Sequence, residues 1–211
     1  MQVIVVTGGT RGIGLGIADA LLARGQRVVV CGRAATDVDR VVAELGAAHY
    51  SERVAGFPCD VTDVAAVQAL WNGAVERFGR VDIWINNAGL GSGSTPLWEQ
   101  EAARLAAVVD TNITASMYGC AIAMRGMLAQ GGGHIYNMEG LGSDDRMIPG
   151  TTAYGTTKRA IRYLTRALAR EAAESPVKVS AISPGMVVTD LLLAGLDGKP
   201  EQMAKSRKSS K

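Results

Sequence analysis

Tyr154 and Lys158 are the residues whose types and spacing point most directly to chemistry. They lie four positions apart in a segment predicted as a helix, so their side chains share one face. A tyrosine ordinarily ionises near pH ~10, and a neighbouring ammonium lowers that pKa because it favours the phenolate. Such a phenol can donate a proton to a carbonyl oxygen or accept one from an alcohol. Because this spacing is common by chance, the hypothesis depends on the segments around the pair.

A glycine-rich segment at residues 7–14, Thr-Gly-Gly-Thr-Arg-Gly-Ile-Gly, follows the first apolar segment of the chain. Its glycines allow a tight turn and a close approach of the backbone to a pyrophosphate, and the helix that follows offers free N–H groups. A P-loop is disfavoured because no Lys-Ser or Lys-Thr pair follows the last glycine. The alternative is a purely structural turn. The predicted cofactor contacts here are Gly8, Thr10, Arg11, Gly12, Ile13 and Gly14.

The residues that follow the second predicted strand bear on which dinucleotide would bind. A carboxylate there would hold the ribose 2′-hydroxyl of NAD, but the sequence is Cys31-Gly32-Arg33. Arg33 and Arg11 could instead face a 2′-phosphate through their planar guanidinium groups. Either arginine could also be an ordinary solvated charge. The missing acid and the two arginines together favour NADP(H).

Alternating strands and helices must position these residues. Strands are predicted at residues 2–7, 27–31, 53–58, 81–86, 134–138 and 177–182, and helices lie between them, the longest at residues 99–129 and 152–173. Thr62 is expected to cap the helix that Gly79 ends. The fold class expected is α/β, a Rossmann-type doubly wound parallel sheet in three layers. We expect one domain over residues 1–196 and a polar, basic tail over residues 197–211, solvated rather than a nucleic-acid arm.

Composition and charge exclude several kinds of partner. The formal net charge of +2 is too small to indicate nucleic acid, and the apolar runs are shorter than the ~18–20 residues of a membrane span. Three widely spaced cysteines form no zinc or disulfide pattern, which favours a reducing compartment. His49, His134 and the pair Asp144-Asp145 lack metal-ligand spacing, so no metal is expected. We expect a cytoplasmic protein, or one of the plastid stroma after removal of a transit peptide.

Six short motifs occur in an order that is typical of a known family. They are residues 7–14, Cys59-Asp60-Val61, Asn86-Asn87-Ala88-Gly89, Asn112, residues 154–158 and Ser183-Pro184-Gly185. In this combination the chain resembles the short-chain dehydrogenase/reductase family over nearly its whole length. The resemblance implies an oxidoreductase that uses a nicotinamide dinucleotide and acts on a carbonyl or alcohol group.

The same resemblance implies a role for each motif. Lys158 would bind the nicotinamide ribose and lower the pKa of Tyr154, and Asn112 would bend its helix and anchor a proton-relay water. The cofactor contacts that it implies are Asp60 and Val61 at the adenine, Asn86, Asn87, Ala88 and Gly89 on the floor of the site, and Pro184, Gly185 and Thr189 beside the nicotinamide.

One position departs from the family pattern. Members carry a serine 13 residues before the tyrosine, but this position is Leu141. Ser143, 11 residues before Tyr154, is the nearest hydroxyl, and we expect it to donate to the carbonyl oxygen of the substrate. The alternative is a loop serine and a site that is one donor short. Loss of a preorganised oxyanion donor typically lowers the rate by ~10²–10³.

A narrower resemblance suggests a substrate. Residues 137–144, residues 153–159 and residues 183–192 are similar to chlorophyll b reductases, a subfamily that reduces a ring formyl group with NADPH. The expected activity is therefore NADPH-dependent reduction of an aldehyde on a bulky substrate, a tetrapyrrole by this resemblance. A generic alcohol dehydrogenase or ketoreductase is the alternative, and a dinucleotide-binding sensor or scaffold with weak turnover is the rival class. The resemblance also implies a homodimer or homotetramer, built from the helices at residues 99–129 and 152–173.

Overall fold

Six parallel strands form one sheet in this computed structural model, which describes residues 1–185 and 187, and only the backbone of residues 49 and 50. Across the sheet the strands run in the order β3-β2-β1-β4-β5-β6. Their bounds are β1 Val3–Val6, β2 Arg27–Gly32, β3 Val54–Pro58, β4 Ile83–Asn86, β5 Gly133–Met138 and β6 Val177–Ile182. All six predicted strands are confirmed. The chain order reverses between β1 and β4, and sheets of this kind bind ligands at the carboxyl ends of the strands beside that point.

Within the described residues, six α-helices connect and flank the strands. Their bounds are α1 Gly12–Ala23, α2 Ala35–Leu45, α3 Val64–Phe78, α4 Ala102–Val109, α5 Ala115–Ala129 and α6 Thr152–Glu171. The cap predicted for α3 is wrong by one residue, because Asp63 accepts the hydrogen bond from Ala65 N at 2.8 Å. The hydroxyl of Thr62 instead donates to Asp60 Oδ1 at 2.7 Å. Gly79 does end the helix, with a φ of 85° that suits glycine.

The strands are buried on both faces, which explains their continuous runs of β-branched residues. On one face, Val5, Val29 and Trp84 pack with residues of α3 and α5, and on the other, Ile4, Val6 and Val28 pack with α1 and α2. Burial of each such side chain contributes about 1.5–3 kcal/mol of transfer free energy. The core therefore fixes the level of the strand ends, where the polar residues of the candidate site emerge.

The predicted long helix at residues 99–129 is interrupted by a π-helical turn. A 3₁₀ turn at Leu97–Glu99 precedes α4, and the π turn Asp110–Thr114 joins α4 to α5. The helical run Ala102–Ala129 is long and apolar enough to cross a membrane, a feature that the count of apolar runs did not predict. It packs against the sheet through Ala115, Ile122 and Met127, all of which are buried, as in the core helix of a globular domain.

Candidate active site

The glycine turn between β1 and α1 packs tightly against the segment after β4. Gly8 has a φ of 62°, and a Cβ on this residue would lie 2.9 Å from the Ala88 Cα. A Cβ on Gly14 would lie 2.5 Å from Asn87 Nδ2. Neither position accepts a side chain without displacing its neighbours. Arg11, at the start of α1, makes no side-chain cap, so the first N–H groups of this helix remain available to an anion.

Thr7 and Asn87 fasten this turn to the end of β4. The Thr7 hydroxyl accepts hydrogen bonds from the backbone N–H groups of Asn87 and Ala88, both at 3.0 Å. Asn87 Nδ2 donates to the carbonyl oxygens of Thr7 and Gly8, at 2.8 and 3.2 Å. The predicted contact Ala88 therefore lies directly beside the glycine turn, and Gly89 follows it in the chain. Sequence reasoning missed Thr7, although its place immediately before the glycines was a signal.

The ends of β2 and β3 form the neighbouring part of the cleft. A Cβ on Gly32 would lie 2.9 Å from Thr10 Oγ1, so the missing acid at position 32 is also a steric requirement of the turn. Asp60 accepts hydrogen bonds from the backbone and hydroxyl of Thr62, which lower the pKa of this carboxyl, and the charge of Arg33 adds to the effect. Arg33 and Arg11 are both exposed, and neither guanidinium group forms a hydrogen bond or salt bridge with any residue between 1 and 185.

Asn86, predicted for the floor of the site, lies beneath it. Its side chain is buried and accepts a hydrogen bond from Trp84 Nε1 at 2.8 Å, while its Nδ2 donates to Asn137 Oδ1 at 2.8 Å. Asn137 Nδ2 donates in turn to Thr165 Oγ1 at 2.9 Å. This chain of buried amides crosses from β4 through β5 to α6. It sets the spacing between the strand ends and the helix that carries Tyr154.

Tyr154 and Lys158 lie in the first two turns of α6, on one face, as predicted. Lys158 Nζ donates a hydrogen bond to the Met138 carbonyl oxygen at 2.9 Å and lies 5.6 Å from the centroid of the Tyr154 ring. The lysine is buried, whereas the tyrosine is half-buried. The Lys158 ammonium is therefore held between the end of β5 and the phenol, close to Gly89. This places a cation and a proton donor at the carboxyl edge of the sheet.

Burial dominates the ionisation of both groups. It lowers the pKa of Lys158 to about 8, and the negative charge of Glu139 opposes that change. It raises the pKa of Tyr154, the opposite direction to the one predicted from a neighbouring ammonium. Burial therefore favours the protonated phenol. A phenol in that state is suited to donating a proton to a carbonyl oxygen.

Asn112 occupies the π turn between α4 and α5, so the helix is irregular at the residue where a local bend is predicted. Its Oδ1 accepts from Leu90 N at 2.7 Å, and its Nδ2 donates to Leu90 O at 3.0 Å and Thr157 Oγ1 at 2.9 Å. The Thr157 hydroxyl donates to the Tyr154 carbonyl at 2.7 Å. Asn112 thus ties the segment after β4 to the turn of α6 that separates Tyr154 from Lys158. Thr157 was missed by sequence reasoning, although it stands beside Lys158.

The loop after β5 places Gly140, not a hydroxyl, directly against the phenol. A Cβ on Gly140 would lie 2.6 Å from the Tyr154 hydroxyl oxygen. Ser143 is almost fully buried, with 1% of its surface exposed, and its hydroxyl donates to the Gly140 carbonyl at 2.7 Å. Its single proton is thus directed to the loop itself. Leu141, at the family's serine position, is half-buried. The role of Ser143 toward a substrate stays a prediction.

The remaining predicted residues divide into two groups. Gly12 and Ile13 lie in the first turn of α1, Val61 is buried after β3, and Pro184 and Gly185 follow β6, at the same edge of the sheet. Thr189 and the tail at residues 197–211 lie outside the described residues. No group of three or more histidine, cysteine, aspartate or glutamate residues that could hold a metal ion is found in the part of the chain that is described.

Comparison with known sequences decides the family. The sequence profile described as short chain dehydrogenase matches residues 2–196. The chain belongs to the short-chain dehydrogenase family. As a member of this family, it has the predicted fold, and its strand order is the one described above. The predictions of an oxidoreductase family and of a Rossmann-type sheet are both confirmed.

Named relatives of this short-chain dehydrogenase include two plant enzymes. The chain is 43% identical to chlorophyll(ide) b reductase NOL, chloroplastic, of Arabidopsis thaliana, and the match covers 93% of this chain and 58% of the relative. It is 40% identical to the enzyme of the same name from Oryza sativa subsp. japonica, over 93% of this chain and 59% of the relative. The chain thus spans less than two thirds of the length of these relatives.

A solved structure supports the same assignment. The fold is similar to that of an actinorhodin polyketide ketoreductase variant crystallised with NADPH, with a TM-score of 0.85 and 33% sequence identity. The match covers 93% of this short-chain dehydrogenase and 74% of the ketoreductase.

Proposed function

We propose that this chain catalyses the NADPH-dependent reduction of an aldehyde on a bulky, largely apolar substrate, as chlorophyll(ide) b reductases do. The observation that carries the proposal is the pairing of Lys158 with Tyr154, with the buried Nζ 5.6 Å from the phenol ring. The two reductases at 43% and 40% identity support the choice of an aldehyde on a tetrapyrrole.

The cleft fits a dinucleotide in its shape and its charge. Gly8 and Gly14 let the turn pack tightly where a Cβ would clash with Ala88 or Asn87, and the uncapped N-terminus of α1 lies beside that turn, where it can hold a pyrophosphate. Arg33 and Arg11 are exposed cations beside the end of β2, where a 2′-phosphate would distinguish NADPH from NADH. Asp60, Val61, Ala88 and Gly89 would line the adenine and floor of this cleft. The bound nicotinamide would supply a hydride.

Residues of the chain itself donate the proton and position the proton donor. The Tyr154 hydroxyl donates its proton to the carbonyl oxygen of the substrate, because burial keeps the phenol protonated until that oxygen becomes basic. The Lys158 ammonium stabilises the phenolate that remains. Asn112, through Thr157, fixes the turn that sets the distance between these two groups. Ser143 would provide a second donor to the same oxygen if its hydroxyl turned from Gly140.

The mouth of the site suits an apolar substrate. Leu97 and Trp98, after β4, and Met147 and Ile148, after β5, are all exposed, and the loops that carry them meet where Gly150 packs against Ser94. Large apolar side chains that are exposed together commonly mark a ligand-binding or interaction site. A flat, hydrophobic ring system would cover this rim while its formyl group reached Tyr154.

The experiment is steady-state NADPH oxidation with a panel of aldehydes that includes a formyl-bearing chlorophyllide and small aliphatic aldehydes. We expect conversion of the formyl group to hydroxymethyl, with a kcat/KM at least ~10²-fold above that for the small aldehydes. Tyr154→Phe serves as the inactive control, since it keeps the ring but lacks the proton. Turnover of small aldehydes without turnover of the chlorophyllide would instead indicate a generic carbonyl reductase.

A second candidate, a dinucleotide-binding protein with weak turnover, is favoured by one observation. The Ser143 hydroxyl already donates to Gly140, and Leu141 fills the family's serine position, so of the two predicted donors only Tyr154 is left to face a substrate. Tight NADPH binding in fluorescence titrations, with no turnover of any aldehyde in the panel, would support this candidate.

The compartment and the assembly of the chain belong to the same proposal. All three cysteines are free and buried, which suits a reducing compartment, and the relatives' names place those two proteins in the chloroplast. We propose the plastid stroma or the cytoplasm. Exposed apolar residues on the outer faces of α4, α5 and α6, namely Val109, Met117 and Tyr163, support a homo-oligomer.

A further inference from the structure

Two arginines of α6 converge on one carbonyl oxygen of the loop at residues 140–145, which we name the 140–145 loop. Arg159 Nη1 and Arg162 Nη1 donate hydrogen bonds to Ser143 O, at 3.1 and 2.9 Å. Arg159 also forms a salt bridge with Asp145 Oδ1 at 2.9 Å. Two charge-assisted hydrogen bonds and one salt bridge therefore hold this loop against the helix that carries Tyr154 and Lys158.

The opposite side of the same loop lies against the phenol. Ser143 N and Ser143 Oγ both donate to Gly140 O, at 3.1 and 2.7 Å, so the two residues form one compact turn. Gly142 packs on Gly155, where a Cβ would lie 2.5 Å from the Gly155 Cα, and Gly140 lies against the Tyr154 hydroxyl. A shift of Ser143 would therefore move Gly140, because the turn between them is closed by hydrogen bonds.

We propose that Arg159 and Arg162 are positioning residues, which hold the 140–145 loop so that Gly140, bonded to Ser143, keeps its place beside the Tyr154 hydroxyl. The inference deepens the proposed function, since it rests on Tyr154 being the proton donor. Neither arginine touches the phenol. They act on it through the Ser143 carbonyl and the closed turn to Gly140.

These two arginines differ from ordinary surface arginines because they share one hydrogen-bond acceptor, the Ser143 carbonyl oxygen. Two guanidinium groups one helical turn apart repel each other when they share an acceptor. The Asp145 carboxylate offsets the charge of Arg159. Asp145 has a backbone φ of 69°, a value that non-glycine residues rarely adopt. The Ser143 carbonyl thus accepts two charge-assisted hydrogen bonds, and Asp145 takes a strained backbone conformation in forming its salt bridge with Arg159.

The test compares Arg162→Met and Arg159→Met with Arg166→Met. Arg166 is exposed on the same helix, and its side chain forms no hydrogen bond or salt bridge with residues 1–185, so it is the matched control. Amide hydrogen exchange of residues 139–146 is measured first, without substrate. We expect exchange to be faster by ~10-fold or more in the two variants and unchanged in the control.

Kinetics with NADPH and an aldehyde then separate positioning from mere stability. We expect kcat to fall by ~10-fold or more while the NADPH Kd stays within about twofold, since misplaced reacting groups lose rate without losing the cofactor cleft. The acid–base profile of kcat/KM should move to lower pH, because a loosened loop lets water reach Tyr154. Lys158 lies beside the phenol, and the charge of Glu139 acts on Lys158. Arg162→Lys, which keeps the charge but not the fork, should recover part of the loss.

Each outcome decides the inference. Unchanged exchange in residues 139–146, or a wild-type kcat and pH profile in Arg162→Met, would overturn it. If methionine variants fail to fold, Arg162→Lys carries the same exchange measurement. A wild-type chain that reduces no aldehyde would defeat the proposed function alone, because the exchange experiment needs no turnover.

Discussion

The Tyr154 hydroxyl occupies the space in which a side chain on Gly140 would begin, 2.6 Å from the position of its Cβ. The glycine is thus a condition for the phenol to sit where it does. A Cβ on the same residue would also lie 3.4 Å from the aliphatic part of Lys158, so the glycine lies beside the buried lysine as well. The Tyr154 hydroxyl, the Lys158 side chain and Gly140 therefore lie close together at the end of β5.

Gly140→Ala is therefore expected to displace the phenol and lower kcat by ~10-fold or more, with little change in NADPH affinity. Gly16→Ala is the control, because a Cβ there meets no atom within 4 Å and an alanine suits the interior of α1. Kinetics and cofactor titration of both variants check the prediction. A Gly140→Ala enzyme with wild-type kcat would show that Tyr154 moves freely.

Lys158→Met is expected to abolish turnover and yet stabilise the fold. The pKa of Lys158 is about 8 in the folded chain and lies below its ordinary value of 10.5, so burial of the ammonium destabilises the fold at neutral pH. The full linkage is about 3 kcal/mol, and loss of the hydrogen bond to Met138 O offsets about 1 kcal/mol, which leaves a gain of about 2 kcal/mol.

The pH dependence of that gain follows from its sign. Between pH ~8 and ~10.5 the unfolded chain binds more protons at this residue than the folded chain, so wild-type stability rises with pH in this window. The advantage of Lys158→Met should be full below pH ~8 and should disappear near pH ~10.5. Urea unfolding at both limits measures it, and an equal advantage at both would contradict burial as the cause.

Arg33→Ala and Arg11→Ala are expected to weaken NADPH binding by ~10-fold or more while leaving NADH binding nearly unchanged, because only NADPH carries the 2′-phosphate. Fluorescence titration with both cofactors gives the ratio. Arg125→Ala, an exposed arginine on α5, provides the control for a general loss of positive charge. Tighter binding of NADH than NADPH by the wild-type chain would refute the assignment of NADP(H).

Ser143→Ala is expected to lower kcat by ~10² with an unchanged NADPH Kd, if the hydroxyl turns from Gly140 to the substrate oxygen. Tyr154→Phe should be at least as damaging. A Ser143→Ala enzyme with near-native turnover, beside an inactive Tyr154→Phe enzyme, would assign the Ser143 hydroxyl to the loop alone, as its 2.7 Å hydrogen bond to Gly140 O already suggests.

The outer faces of α4 and α6 are expected to bury Val109 and Tyr163 between copies of the chain. Light scattering should then give a dimer or tetramer rather than a species of 22.0 kDa. Tyr163→Glu, at a residue that is 77% exposed, should shift the mass toward the monomer without unfolding it. A wild-type monomer at micromolar concentration would refute the predicted assembly.

The sequence by itself determined the family, the six strands and the positions of Tyr154 and Lys158. These features are local, since β-branched runs bury on both faces, glycines punctuate turns, and a spacing of four residues places two side chains on one helix face. The absence of an acidic residue at position 32 was equally evident from the sequence. The structure adds that Thr10 leaves no room for a side chain there.

Only the tertiary structure decided how the site is supported. The contact of Gly140 with Tyr154, the two arginines on Ser143 O and the amide chain from Asn86 to Thr165 join residues that lie far apart in sequence or on separate elements. The direction of the Tyr154 pKa also depended on burial, which a neighbouring lysine in the sequence does not reveal. Spacing fixes which side chains share a helix face, but packing fixes how much water reaches them.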